Sequence, residues 1–246
     1  MMTHFFDSTE SVAEGVGFPL FGFGHLCWLA GFIVFAILCC RVYKQSGSNK
    51  RQRIRYIFVA LLLLDEAVKV VGLGVQGLYG PQYLPFHLCS INIFVILWHS
   101  KRPNRALDNY LFTVGIPAAM IALLTPSWAV LPFWNFMNIH SFTVHILLAT
   151  YPIMLTYSGE LNPQIKYLPK SLAVLAALAC VAYGVNLIFD TNFMFLMYPI
   201  AGTPLVWFEE HMGNHFWGFP ILITAIVAVM YSGLYLYRKI ANKRLT

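Results

Sequence analysis

Charged residues are scarce in this sequence. Only 11% of its 246 residues are Asp, Glu, Lys or Arg, whereas 59% are hydrophobic. The mean hydropathy is correspondingly high, at +0.66. A soluble globular domain carries about 25% charged residues. The composition therefore excludes an ordinary soluble domain and indicates a chain that lies in a membrane.

Long polar stretches are also lacking, and the chain divides into apolar blocks near the ~20 residues that cross the hydrocarbon core. Backbone groups in hydrocarbon must bond within their own segment, so each block is expected to be a helix. The sequence predicts an all-α polytopic membrane protein with about seven transmembrane helices in one domain, residues 21–237. Residues 1–20 are expected to form an external segment, and residues 238–246 a basic cytoplasmic tail. The blocks are residues 21–40, 56–78, 84–98, 107–124, 136–157, 171–189 and 218–237.

Lys and Arg are absent from every second connection between the blocks. All but one of the 16 basic residues lie within residues 41–55, 101–105, 166–170 and 238–244. Cytoplasmic loops are enriched in basic residues, so the pattern predicts an external N-terminus and a cytoplasmic C-terminus. The net charge of +6 then follows from topology, and no nucleic-acid partner is expected.

The second block contains three ionisable residues, which are costly in hydrocarbon unless they are paired. Asp65, Glu66 and Lys69 are spaced so that the lysine can neutralise either carboxylate on one helix face. Two interpretations remain open. The functional interpretation is that the group relays protons or that one carboxylate orients a histidine elsewhere. The structural interpretation is a buried pair that locks this helix to its neighbours.

The third block, LPFHLCSINIFVILW, begins with a polar cluster of His87, Cys89, Ser90 and Asn92. The predicted orientation puts this cluster close to the external interface. A cysteine near a helix start is usually a packing residue. A thiolate would need an interfacial position and a charged or hydrogen-bonding partner.

The fifth block contains NIHSFTVH, which places Asn138, His140, Ser141 and His145 in the outer half of the block. One of the two histidines could therefore lie at a depth in the membrane similar to that of Cys89. A thiol beside an imidazole is the arrangement that nucleophilic acyl transfer requires. The histidine accepts the thiol proton, and the thiolate attacks a carbonyl carbon. Spacing alone leaves both catalysis and packing open.

The sixth block ends in NLIFDTNFMFL, which puts Asn186, Asp190 and Asn192 on the same external side. Asp190 is a candidate to orient a histidine, as the third member of such sites does. A solvated acidic residue at a helix end is the other interpretation.

Three motifs, LPFHLCS, SFTVH and TNFMFL followed by GTPL, resemble in order and spacing the YwaF family of bacterial integral membrane proteins. The similarity extends over residues 21–237. That family is similar to eukaryotic transmembrane acyltransferases that remodel ether phospholipids, in which a cysteine of the corresponding helix is taken as the acyl-accepting nucleophile. The resemblance implies a multi-pass protein of the bacterial plasma membrane, with Cys89 as nucleophile and with His145 or His140 as its partner.

The sequence thus predicts a lipid acyltransferase or acyl hydrolase that forms a thioester at the outer leaflet. Membrane phospholipids are the expected partners, and no metal or cofactor is required. The alternatives are an accessory subunit, or a proton-coupled transporter or ligand-binding protein that uses Asp65, Glu66, Lys69 and the membrane histidines. The residues expected to support catalysis are His87, Ser90, Asn92, Asn138, Asp190, Asn192 and Glu66.

Overall fold

The chain folds into helices joined by mostly short connections. The computed structural model describes residues 4–8, 12, 15–200 and 203–243, and no β-strand occurs in these ranges. Each apolar block falls on a helix, so the expected all-α architecture is confirmed. The helices are α1 Phe23–Gln45, α2 Ser48–Val75, α3 Leu88–Lys101, α4 Arg105–Tyr110, α5 Ile116–Leu124, α6 Phe136–Ser158, α7 Leu168–Phe189, α8 Pro204–Met212 and α9 Gly218–Lys243.

A π-helical turn, Leu111–Gly115, joins α4 and α5 into one continuous rod. Pro117 lies in the first turn of α5 and has no backbone N–H to donate into the preceding turn. The Ile116 N–H bonds instead to the Leu111 carbonyl, five residues back. The missing proline donor is therefore accommodated by widening the helix rather than by breaking it.

Five helical stretches in the described residues are long and apolar enough to cross a membrane. These are Phe23–Gln45, Arg105–Val130, Phe136–Ser158, Ile165–Phe189 and His215–Ile240. The α2 helix is long enough, but its ionisable residues interrupt the apolar run. The α3 helix has only 14 residues. Five spans are thus supported by length and composition, and the count of seven remains a prediction.

The α6 helix lies at the centre of the bundle and packs against α1, α2, α3 and α5. Its side chains Phe142, Leu148 and Tyr151 are almost wholly enclosed in the main core. By contrast, only 11% of the α7 span and 6% of the α9 span are buried in the protein. Apolar helices that bury so little of their surface need a hydrocarbon environment around them.

The four basic segments meet at one end of the bundle. Arg51 Nη1 lies 2.9 Å from Glu160 Oε1, across the α6–α7 connection. Arg238 Nη2 donates to the Pro163 carbonyl of the same connection, and Gln52 Nε2 donates to the Ser100 carbonyl at the end of α3. We call this the basic end and the opposite end, where α3 and α6 begin, the Cys89 end. Which side of the membrane each end faces remains a prediction.

Candidate functional site

The α3 helix begins later than its apolar block. Leu84 is extended, with φ −57° and ψ 149°, as the residue before a proline prefers. His87 is the N-cap residue and Leu88 the first helical residue, so the block's first residues form an entry turn. Cys89 is consequently in the first turn of α3, where backbone N–H groups have no partner within the helix.

Cys89 is partly buried and packs against the main core. The side chain of the N-cap residue, His87, makes no capping hydrogen bond to the first turn of α3. The backbone N–H and the hydroxyl of Ser90 interact with the Cys89 sulfur. Uncapped N–H groups at a helix start carry partial positive charge, which stabilises an anion placed against them. The position suits a thiolate or the oxyanion of a tetrahedral intermediate.

Lys69 of α2 is the cation beside this turn. Its Nζ pairs with Glu66 Oε1 at 2.5 Å, and both side chains are buried. The charge of the lysine acts on Cys89 and on His87, and the charge of its partner Glu66 acts on Cys89 in the opposite sense. The second oxygen of Glu66, Oε2, is buried without a hydrogen-bond partner. The spacing allowed Lys69 to pair with Asp65 or with Glu66, and in the structure it forms the ion pair with Glu66.

Asp65 is directed to α6 instead. Thr143 Oγ1 donates to Asp65 Oδ1 at 2.9 Å. His140 Nδ1 lies 2.9 Å from Asp65 Oδ2, although the alignment is not that of a hydrogen bond. The structure therefore places Asp65 next to a histidine, which is the arrangement expected of an orienting carboxylate.

His145 lies one helical turn after Ser141 on the same face of α6. Its Nδ1 is 2.6 Å from the Ser141 carbonyl oxygen. A carbonyl only accepts, so Nδ1 carries the proton and Nε2 keeps its lone pair. In the described part of the chain Nε2 makes no hydrogen bond, and it is not fully enclosed. This is the tautomer that a general base requires.

The structure does not join the thiol to an imidazole. No hydrogen bond links the Cys89 sulfur to His87, His140 or His145 among the residues described. The three histidines nevertheless belong to the elements around Cys89, because α2, α3 and α6 pack against one another. The expected residues share one region of the protein without forming a preassembled pair.

His87 faces the turn after α7. Its ring meets Phe193 edge-on, with 5.0 Å between centroids, and lies 6.0 Å from Phe195. The turn is held by Asn186, whose Oδ1 accepts from the Phe193 N–H at 2.7 Å. LPFHLCS and TNFMFL, two of the three quoted motifs, are therefore in contact. Asn186 organises this contact, and it was not among the expected site residues.

Asp190 and Asn192 shape the same turn. Asp190 is an exposed C-cap residue of α7 with φ 51°. Asn192 Oδ1 accepts from the Met197 N–H at 3.0 Å, and its Nδ2 donates to the Tyr198 carbonyl. Neither side chain makes a hydrogen bond or an ion pair with a histidine in the described ranges, and Asn192 stabilises the local backbone.

Two further expected residues are tied to neighbouring elements. Asn92 accepts the Tyr110 hydroxyl hydrogen at 2.8 Å, which fastens α3 to α4. Asn138 Nδ2 donates to the Leu131 and Pro132 carbonyls in the α5–α6 connection. Its amide donors are thus engaged. Of Ser90, Asn92 and Asn138, which the sequence offers as oxyanion donors, Ser90 is the one that interacts with the Cys89 sulfur.

A second polar group, at the basic end, was not foreseen. His99 Nδ1 lies 3.0 Å from the Tyr151 hydroxyl, and its Nε2 lies 3.0 Å from Asp108 Oδ1. His99 is 1% exposed and Tyr151 is fully buried. The signal was present in the sequence, because Asp108 is an ionisable residue inside the fourth apolar block and His99 directly follows the third.

Comparison with known proteins gives a family. A family model described as the TMEM164 family matches residues 20–232. No curated protein and no solved structure matches the chain. The matched residues cover most of the chain and include the α2, α3 and α6 elements around Cys89. The chain therefore belongs to the TMEM164 family, a family of transmembrane proteins.

Proposed function

We propose that the protein is a lipid acyltransferase or acyl hydrolase that forms a thioester on Cys89. The observation that carries the proposal is the position of the thiol, at an uncapped helix start beside the buried cation Lys69. Both features favour negative charge at the sulfur and at a neighbouring oxyanion. They act against burial of the sulfur and against the nearby Glu66 carboxylate, which disfavour that charge. The resemblance of LPFHLCS to the YwaF family and to ether-phospholipid acyltransferases supports the same role.

The reaction begins with transfer of the Cys89 proton to His145 Nε2. The thiolate attacks the acyl carbonyl carbon of a phospholipid, so that a C–S bond forms and the carbonyl electrons move to oxygen. The tetrahedral intermediate collapses, and the C–O ester bond breaks. The departing lysolipid oxygen takes the proton from the imidazolium. The products of this half-reaction are a thioester and a lysolipid.

The second half-reaction resolves the thioester. A lysolipid hydroxyl or water gives its proton to His145 and attacks the thioester carbonyl. The C–S bond breaks, and the thiol recovers the proton from the imidazolium. Because Cys89 and His145 are not hydrogen-bonded in the structure, the proton transfer requires closer approach or one intervening water.

His140 competes with His145 as the base. Each ring has a partner near Nδ1, the Asp65 carboxylate for His140 and the Ser141 carbonyl for His145. We assign the role to His145 because its Nδ1 proton is fixed by a hydrogen bond, which holds Nε2 as the acceptor. Separate substitutions of the two histidines test this assignment.

The thioester is tested directly with purified protein and phospholipid labelled in its acyl chain. The expected result is a hydroxylamine-sensitive acyl adduct on the protein together with released lysolipid. Cys89→Ala should abolish both, whereas Cys180→Ala, a matched change at an exposed cysteine of α7, should leave both intact. Full turnover by Cys89→Ala would show that the thioester mechanism is wrong.

A second candidate is a proton-coupled transporter. It is favoured by the polar group of Glu66 and Lys69, which are buried, with Asp65 and His140, which are partly buried. The group spans α2 and α6 and leaves one Glu66 oxygen without a partner among the described residues. Reconstituted vesicles with an internal pH dye would then show proton movement that Asp65→Asn abolishes and Cys89→Ala preserves. Absence of any such movement would remove this candidate.

The proposed topology has seven spans in the bacterial plasma membrane, with the Cys89 end at the outer leaflet. The alternation of basic segments supports it. Asn214 and Lys50 are exposed at the Cys89 end and at the basic end respectively. In intact cells an impermeant thiol reagent should label Asn214→Cys but not Lys50→Cys, and the reverse pattern would invert the topology.

A further inference from the structure

A cavity of about 570 Å³ opens at the basic end, between α2, α3, α4 and α6. It is separate from the Cys89 region, because its wall residue His99 follows Cys89 by ten positions of α3, about 15 Å along the helix axis. Its volume falls within the range of about 300–1,000 Å³ that small-molecule sites occupy. Its polar and apolar walls include Arg55, His99, Arg105, Asp108, Leu155 and Glu160.

The two arginines in the wall have unused hydrogen-bonding capacity. Arg55 Nη1 is 3.6 Å from Glu160 Oε2, and Arg105 Nη1 is 3.5 Å from Asp108 Oδ2. Neither guanidinium makes a hydrogen bond to any residue that the structure describes, and Arg55 Nε is buried without a partner. An arginine has five N–H donors in a planar fork, so most of this capacity is available to a ligand.

Arg51, one turn before Arg55 on α2, shows the contrast. Its Nε donates to the Tyr43 and Ser46 carbonyls, and its Nη2 donates to the Lys44 carbonyl. Its Nη1 donates to Glu160 Oε1 at 2.9 Å. All three guanidinium nitrogens of Arg51 thus make hydrogen bonds, and those of Nε and Nη2 hold the α1–α2 connection, whereas Arg55 makes none with the residues that the structure describes.

The carboxylates of the wall are already engaged by other groups. Glu160 accepts from Arg51 and from the Tyr43 hydroxyl, at 2.9 and 2.7 Å. Asp108 accepts from His99 Nε2 at 3.0 Å. The wall itself holds two arginines and two carboxylates, and Arg51, which lies outside the wall, supplies the close partner of Glu160. Arg51, Arg55 and Arg105 together exceed the two carboxylates by one positive charge, which is available to an anion.

We propose that this cavity binds the phosphate-bearing headgroup of an anionic phospholipid. Guanidinium forks match phosphate oxygens in geometry and charge. Basic pockets between transmembrane helices on the cytoplasmic side are typical headgroup sites, and Leu155 supplies an apolar wall beside the charged one. The lipid would bridge α2, α4 and the end of α6. The proposal rests on membrane embedding and is independent of the chemistry at Cys89.

His99 preorganises the wall and does not act as a base there. Both of its ring nitrogens are engaged, with Tyr151 and Asp108, and the ring is almost completely buried. The carboxylate of Asp108 is thereby fixed beside Arg105. The cavity at the basic end is accordingly a binding site, and no reaction is proposed there.

The test measures thermal unfolding of delipidated full-length protein in detergent, with three additions compared. These are dioctanoyl phosphatidylglycerol, dioctanoyl phosphatidylcholine and inorganic phosphate. A ligand that binds only the folded state raises the unfolding midpoint with its concentration. Phosphatidylglycerol should do so, with at least tenfold higher apparent affinity than either of the other two.

The variants locate the effect. Arg55→Gln combined with Arg105→Gln should weaken phosphatidylglycerol binding at least tenfold, whereas Arg53→Gln should not change it, because Arg53 is exposed on α2 and does not line the cavity. If the double variant does not fold, Arg105→Gln alone is used, since that side chain is half exposed, and bound lipid is counted by native mass spectrometry.

Three outcomes would overturn the proposal. Equal stabilisation by inorganic phosphate would assign the cavity to free phosphate, and equal stabilisation by phosphatidylcholine would remove the requirement for net negative charge. The same loss in Arg53→Gln as in the cavity variants would attribute binding to general surface charge.

Discussion

The polar residues at the two ends of α3 differ in how many hydrogen bonds they make. At the basic end, His99 has a partner for each ring nitrogen. At the Cys89 end, the thiol makes no hydrogen bond to a histidine, and His145 keeps Nε2 unused among the residues described. Both ends are largely enclosed, so the difference lies in hydrogen bonding rather than in burial.

The difference separates two uses of a buried polar side chain. A fully bonded group stabilises one arrangement and costs free energy when a partner is removed. A group with unused capacity contributes less to folding and remains available to a substrate. Substitutions at the Cys89 end should therefore lower activity with little loss of stability, whereas substitutions at the basic end should lower stability with little loss of activity.

Cys89→Ser should give the largest effect. Loss of the nucleophilic sulfur should lower acyl transfer at least about a thousandfold, since removal of a nucleophile abolishes the covalent route. The unfolding midpoint should stay nearly unchanged, because the oxygen is close in size and the thiol has no histidine partner to lose. Acyl-adduct formation and thermal unfolding are measured on the same sample. A large drop in stability with retained turnover would make Cys89 a packing residue.

His145→Ala should lower the rate of adduct formation by about 10²–10⁴, the usual contribution of a general base. His140→Ala should have a smaller effect on rate, because this ring acts in the proposal only through its contact with Asp65. Single-turnover kinetics on the two variants provide the comparison. A larger loss in His140→Ala would transfer the role of base to His140.

His99→Ala should instead reduce stability. The change leaves Asp108 and the Tyr151 hydroxyl with one partner fewer in a buried position, at a cost of about 1–3 kcal/mol for an unsatisfied group. Denaturation in detergent measures the effect, with His211→Ala as the control because that ring is exposed on α8. Acyl transfer by the protein that remains folded should be within about twofold of the original. An equal loss of stability in both variants would contradict the assigned network.

Helix positions followed from the sequence because lipid-exposed segments must be apolar and about 20 residues long. The alternation of basic residues also predicted which connections share an end, as the contacts of Arg51 and Arg238 with the α6–α7 connection show. Helix positions and the end at which each connection lies depend on whether a segment faces lipid or water. The residue types of a segment indicate which of the two it faces, and a single sequence supplies them.

Pairings between helices could not be predicted in the same way. Spacing allowed Lys69 to bond Asp65 or Glu66, and the choice was made by α6, which brings Thr143 and His140 to Asp65. The bond between His99 and Asp108 likewise crosses the α3–α4 connection. Such contacts depend on helix rotation and on crossing geometry, which one hydropathy pattern leaves undetermined.

Tyr110→Phe should give the smallest effect of the series. The Tyr110 hydroxyl donates to Asn92 Oδ1 at 2.8 Å, and both side chains are buried. Its removal should lower the free energy of unfolding by about 1 kcal/mol, near the usual contribution of a buried hydrogen bond. Acyl transfer should change less than about twofold, because Asn92 is one turn beyond Cys89 and serves to fasten α3 to α4. A tenfold loss of activity with unchanged stability would instead place Asn92 among the groups that contact the substrate.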